Sequence, residues 1–204
     1  MFELLLTGLL SLPLYPLNPV DQDTLPSMNL HLSVGAASPT ELLPVTPFLS
    51  VKGEWLMFHP VVMRPSVDYR FGDSRAGNMP DGFVHQVIFE LETFAYRGTN
   101  SLTGYVGFGL LWAVNDFDLT SEAADSLLRT EDLAKVSLDN SFGYRLSMGV
   151  RWSRVYSVEV NVTELDSRMH FNSTTVGGLF RTYSEEVDMG DFRVHFGYLF
   201  SLEN

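Results

Sequence analysis

His31, Ser33 and His195 are the residues whose types most readily suggest chemistry. A histidine within reach of a serine hydroxyl is the base–nucleophile pair of acyl-transfer enzymes. Whether these three meet depends on whether the first and last parts of the chain lie side by side. His170, with Asp166 and Asp188 in the same stretch, offers a second arrangement, an Asp–His pair of the hydrolytic kind. The remaining histidines are His59 and His85, and no two of the five have metal-ligand spacing. The chain has no Cys, which removes thiolate sites and disulfides together. No metal and no cofactor is expected. The run "GYVGFG" at 104–109 places its glycines inside a strand-like segment, whereas a phosphate cradle needs a strand-to-helix turn.

A larger set of reactive groups is arranged by a simple rule. Lys52, Arg64, Arg70, Arg145, Arg151 and Arg193, with Glu54, Asp68, Glu90, Glu92 and Glu159, all sit in segments where polar and apolar residues alternate. Period-two alternation marks a strand with two unlike faces. Eight such segments follow one another: 28–36, 48–57, 61–71, 83–95, 101–113, the two arms of 139–164, and 189–200. Ile88 breaks the alternation of the fourth. Pro65 sits within the third and cannot donate to a ladder, so a local bulge is expected there.

The connections come in two sizes. Those at 58–60, 96–100 and 153–154 are short. Those at 37–47, 72–82, 114–139 and 166–188 are long. Strands running up and down place all short turns at one end and all long loops at the other. Within the third long connection, 121–136 has the composition of a short helix capped by Ser121, its apolar side covering the mouth. Residues 1–18 form a signal-like apolar segment, too short to cross a bilayer as a helix, and 19–27 read as a linker. The barrel is expected over 28–200, with 201–204 as a tail.

Composition constrains the partners. The net charge of -12 excludes a nucleic-acid footprint. The eleven charged strand residues are nearly balanced, so the excess acid lies in loops such as 116–139 and 185–188. There it solubilises exposed segments or bridges divalent cations to anionic lipid headgroups. The polar strand face is otherwise rich in Gly and Ser, which suits the cramped lumen of an eight-stranded barrel. Charges buried there are tolerable only as pairs. Aromatic residues fall into two rings, as at membrane interfaces. Trp55, Tyr96, Trp152, Tyr156, Tyr198 and Phe200 gather at the short-turn end. Tyr69, Phe71, Phe83, Trp112, Phe142, Tyr144 and Phe192 gather at the other.

"VKGEWLMFHPVVMRPSVDYRFGD" at 51–73 and "FGYRLSMGVRWSRVYSVEVNVTE" at 142–164 resemble the small eight-stranded outer-membrane barrels of the OmpA/OmpX/OmpW type. The last strand, "FRVHFGYLF", resembles the terminal signal read by the barrel-assembly machinery, here followed by "SLEN". The resemblance implies an all-β, antiparallel up-and-down transmembrane barrel with short periplasmic turns and long extracellular loops. It also implies a bacterial outer-membrane location, with outer-membrane lipids, lipopolysaccharide and the assembly machinery as partners. The reading of function is a non-enzymatic structural or surface-interaction barrel whose lumen is closed to bulk solute by ion pairs. A lipid-modifying barrel enzyme and a soluble ligand-binding barrel with reversed faces stand as alternatives. The sequence sets no oligomeric state.

Overall fold

The computed structural model describes residues 28–58, 61–74, 81–98, 101–128, 131–153, 155–175 and 180–201. Among these residues ten strands and one helix succeed one another. They are β1 (Met28–Ala37), β2 (Thr46–Phe58), β3 (Val61–Ser74), β4 (Gly82–Gly98), β5 (Leu102–Leu119), α1 (Ser121–Leu128), β6 (Glu131–Leu138), β7 (Ser141–Trp152), β8 (Tyr156–Thr175), β9 (Phe180–Asp188) and β10 (Asp191–Ser201). The signal-like segment, the linker and residues 202–204 lie outside the described residues, as does His59. Ser201, assigned above to the tail, is the last residue of β10.

Eight strands close a ring in the order β1, β2, β3, β4, β5, β7, β8, β10, every neighbour antiparallel. The closing seam pairs Ser33 with Gly197 and Leu32 with Tyr198. Because side chains alternate across a strand, this register fixes one polar and one apolar face for the whole ring. The short connections lie between β2 and β3, β4 and β5, and β7 and β8. Two of these turns use backbone conformations that L side chains rarely adopt, Ser153 with φ 53° and Gly98 with φ 152°.

Pro65 does not bulge the strand. The β2–β3 register is the same on either side of it, Lys52 opposite Ser66 and Trp55 opposite Met63, and the irregularity falls instead between Leu56 and Phe58.

The long-loop end differs from the sequence expectation in two respects. The segment 121–136 is not one helix. Helix α1 ends at Leu128, its entry is capped by Thr120, whose hydroxyl accepts from the Ala123 amide at 3.3 Å, and strand β6 follows. The span 166–188 is also largely strand. β8 runs on past the ring, and its outer half pairs with β6 on one side and β9 on the other. A three-stranded blade therefore rises from the mouth.

The inside of the ring has three tiers. At the mouth, Leu42, Leu43, Val84, Ile88, Leu111, Phe117, Leu165, Met169, Val187 and Met189 belong to one buried apolar cluster. Leu42 and Leu43 are turned inward by Thr40, whose hydroxyl accepts from both their amides, at 3.3 and 3.0 Å. At the short-turn end, Val62, Phe94 and Tyr105 form a smaller cluster. Between the two lies the ionic tier.

Candidate functional site: the ionic column of the lumen

All eleven charged residues singled out from the sequence point into the ring, and they fall into two groups. Toward the short-turn end, the Glu159 carboxylate accepts from Lys52 Nζ at 2.7 Å and the Tyr105 hydroxyl at 2.7 Å, and it lies 2.6 Å from Arg64 Nη1 and 2.9 Å from His195 Nε2. Arg64 also donates through Nε to Glu92 at 2.6 Å and lies 3.8 Å from Glu54. Arg151 closes this end, giving Nη2 to both oxygens of Glu54 at 2.7 and 2.9 Å. Its side chain keeps 17% exposure, the most of any charged group in the column. The guanidinium of Arg64 lies 4.9 Å from the centre of the Phe94 ring and 5.4 Å from that of Tyr105, so the apolar floor also faces cations.

Nearer the mouth, Asp68 Oδ2 accepts from Arg145 at 2.8 Å and Arg193 at 2.9 Å. Arg145 Nη1 reaches Glu90 as well, at 2.5 Å. Arg193 Nε spans both oxygens of Asp191 at 2.8 and 2.9 Å, and Arg70 pairs with the same carboxylate. Arg70 Nε continues to Gln86 at 2.5 Å, and Gln86 to Asn115 at 2.7 Å. Asp191 is the member that sequence reasoning missed. It is the first residue of β10 and lay inside the alternating segment 189–200, but it was not counted among the lumen charges. With it, each group holds three cations and three carboxylates: Lys52, Arg64, Arg151 with Glu54, Glu92, Glu159, and Arg70, Arg145, Arg193 with Asp68, Glu90, Asp191. The column is neutral as a whole and in each half. Such balance lets charges sit out of water, where an unpaired one would be far too costly.

Glycines on the neighbouring strands make room for these side chains. A Cβ on Gly107 or Gly109 would overlap a carboxylate oxygen of Glu92 or Glu90 respectively, one on Gly149 would strike the Tyr105 ring, and one on Gly197 the His31 ring. "GYVGFG" is thus explained by fit: its second and third glycines are the recesses into which two lumen carboxylates fold.

The seam between β1 and β10 does bring Ser33 to His195, with the Ser33 hydroxyl 3.0 Å from Nδ1. Together with Glu159 on Nε2 this is the connectivity of a Ser–His–acid triad. It is sealed, however: Ser33 is 2% exposed and both partners 1%. Glu159 is also held by two cations, and Asn161 competes for His195 at 3.1 Å. His31 turns to Ser157 at 2.9 Å, so the two histidines do not bond each other. His170 pairs with Asp139 at 2.9 Å, and neither Asp166 nor Asp188 is its partner. His85 faces outward at the rim, hydrogen-bonded to Tyr69 at 3.0 Å. Among the described residues no group of three or more His, Asp or Glu is placed to hold a metal.

The outer wall is apolar. Leu49, Leu91, Phe108, Leu110 and Phe196 are each about half or more exposed. Tyr69, Trp112 and Tyr144 stand outward below the mouth. Trp152, Tyr156, Tyr198 and Phe200 stand outward at the opposite end in a continuous arc, with ring centres 5.9, 5.5 and 4.6 Å apart in sequence. Trp55 is half-buried, its ring lying against Gly53. Tyr96 departs from the expected ring: it packs inward against the Val62–Phe94–Tyr105 cluster. Charged groups inside and hydrocarbon outside is the arrangement of a transmembrane barrel, and it is the reverse of a soluble ligand-binding barrel.

No family model matches the chain, and no curated protein matches it. Solved structures do. AlkL, an outer membrane protein determined in DMPC lipid bilayers, aligns with a TM-score of 0.54 at 14% identity, over 93% of this chain and 98% of its own. The N-terminal β-barrel domain of Pseudomonas aeruginosa OprF gives 0.43 at 10% identity, over 86% and 98%. A major outer membrane protein from Thermus thermophilus gives 0.44 at 12%, over 85% and 100%. The likeness to AlkL shows the fold, the small antiparallel outer-membrane barrel.

Proposed function

We propose that the chain is an integral protein of a bacterial outer membrane whose lumen is shut to bulk solute and which acts through the parts it displays beyond the bilayer. The observation that carries this is the neutral ionic column, wedged between an apolar plug at the mouth and another at the floor. A conducting pore of this strand number would need water along its axis. Here the axis is occupied by side chains that bond to one another. The aromatic arcs and the half-exposed Leu, Val and Phe between them support insertion with the short turns toward the periplasm. Lipid, including lipopolysaccharide, is then the partner of the outer wall, and the barrel-assembly machinery the partner of the last strand. The reading is non-enzymatic: the Ser33–His195–Glu159 set has the connectivity of a catalytic triad without access for substrate or water.

Two measurements on the purified protein test it. Cell fractionation with sarkosyl and heat-shifted migration on a detergent gel are expected to show a folded outer-membrane barrel. In planar bilayers the protein is expected to give no stable single-channel openings. Long-lived conductance steps of uniform size would overturn the closed-lumen reading.

A further inference from the structure

Every strand of the ring has two partners, whereas β9 has one. Residues 180–186 of β9 are all exposed, and among the described residues the edge away from β8 is bonded only at its base, where Glu41 and Asp188 exchange hydrogen bonds of 3.3 and 2.9 Å. Proteins usually blunt such an edge with charged side chains, Lys above all, with Pro or with a bulge. "FRTYSEE" has no Lys or Pro and pairs with β8 without a bulge, and its charges, Arg181, Glu185 and Glu186, are of both signs, so they repel a foreign edge less than they can match a copy of this one.

The sequence of this edge matches itself. When a strand pairs antiparallel with its own copy, opposed residues must both turn their backbone groups toward each other or both away. That direction alternates along the strand, so the twofold axis must pass through a residue and not between two. Centred on Tyr183, the pairing sets Arg181 against Glu185 twice, Thr182 against Ser184 twice, Phe180 against Glu186, and Tyr183 against itself. Arg181, Tyr183 and Glu185 lie on one face of the strand, so the two opposite-charge pairs flank an aromatic pair. This register uses the exposed stretch from end to end. Centring on Ser184 instead would put Arg181 against Val187 and run into Asp188, which Glu41 already holds. In the free chain Tyr183 donates its hydroxyl to Glu185 at 3.3 Å, and this neighbouring carboxylate pushes the Tyr183 hydroxyl pKa up.

We propose that β9 is a homotypic docking edge through which two copies pair antiparallel about Tyr183. The direction of the chain then decides where the copies stand. The C-terminal end of β9 points to the ring, because β10 begins three residues after Asp188. An antiparallel partner carries its own barrel at the far end. β8 spans twenty residues, about 66 Å at strand rise, of which roughly half extends the blade beyond the ring. Two such blades overlapping tip to tip join copies seated in two facing membranes, not neighbours in one. The facing-membrane geometry rests on the outer-membrane reading above; the edge pairing does not.

The absence of native Cys makes the test direct. Tyr183→Cys places two thiols across the axis, with Cα atoms about 4.5–5.5 Å apart, inside disulfide reach. Ser184→Cys offsets them along the strands, with Cα atoms beyond the roughly 7 Å limit. In detergent under mild oxidation, Tyr183→Cys is expected to cross-link to a dimer at least tenfold faster than Ser184→Cys. In reconstituted vesicles, wild type is expected to cluster them, measured by light scattering. Arg181→Glu and Glu185→Arg vesicles should each stay dispersed alone and cluster when mixed, because the mixed pair restores both charge contacts. Equal cross-linking of the two cysteine variants, or a mixture that stays dispersed, overturns the proposal. So does energy transfer between copies within one vesicle in place of clustering. Cross-linking by a protein that fails to insert into vesicles supports the edge and refutes the membrane placement.

Discussion

Replacing Glu159 with Gln removes one negative charge from the centre of the column while keeping the side chain's shape. The wild-type carboxylate neutralises Lys52 at 2.7 Å and Arg64 at 2.6 Å, and all three side chains are at most 2% exposed. At an effective dielectric constant near 20, each contact is worth about 6 kcal/mol in gross attraction. Most of that is offset by the cost of taking the ions out of water. What the variant exposes is the remainder: Lys52 without its paired carboxylate and Arg64 left with Glu92 and Glu54, a loss of about 3–5 kcal/mol. With a urea slope of about 1–3 kcal/mol/M for a small protein, the unfolding midpoint should fall by roughly 1–5 M. The assay is urea unfolding in lipid vesicles followed by Trp fluorescence. Glu186→Gln is the control, since its bridge to Arg168 at 2.8 Å lies on the surface with the carboxylate 80% exposed, and it should shift the midpoint little. A shift for Glu159→Gln no larger than the control's would mean the lumen charges are bathed in water, and the closed column would be refuted.

Three further outcomes follow from the same geometry. Phe108→Arg, on the half-exposed outer wall between the aromatic rings, should cost about 2–4 kcal/mol in bilayers, read as lost refolding yield in vesicles compared with Phe108→Ala. Gly109→Leu, which must displace the Glu90 carboxylate, should cost about 1–3 kcal/mol and lower the unfolding midpoint without altering the outer wall. A double-mutant cycle on Tyr156 and Tyr198, whose rings meet edge-on at 5.5 Å, should give a coupling of about 0.5–1.5 kcal/mol, and additive single effects would deny the continuity of that arc.

Alternation made much of this molecule readable from its residues. Where a strand separates hydrocarbon from a polar lumen, each side chain is forced to one face, so Leu146, Met148 and Val150 declare one side and Arg145, Ser147 and Gly149 the other. The rule fails where that contrast fades. Above the aromatic ring the outer wall carries Asp116, Glu164 and Arg168, and the strand continuations in β5 and β8 therefore looked like loop. Ile88, an apolar residue inside the mouth, read as a break in the pattern because its burial depends on loop residues Leu42 and Leu43 folding over it. The partition of the charges into two neutral halves, and the meeting of Ser33 with Glu159 through His195, depend on the closing seam and on pairs more than a hundred residues apart. Spacing along the chain carries no trace of those contacts.

The central claim is a barrel turned inside out and sealed. Single nitroxide labels along β10, from Phe192 to Phe200 in bilayers, test it in one series. Labels at Phe192, Val194, Phe196, Tyr198 and Phe200 are expected to collide freely with oxygen dissolved in lipid. Labels at Arg193, His195 and Leu199 are expected to meet neither oxygen nor a water-soluble nickel reagent. High nickel accessibility at the odd-numbered sites would mean an open aqueous lumen, and high nickel accessibility at the even-numbered sites would mean that the apolar face does not lie in lipid.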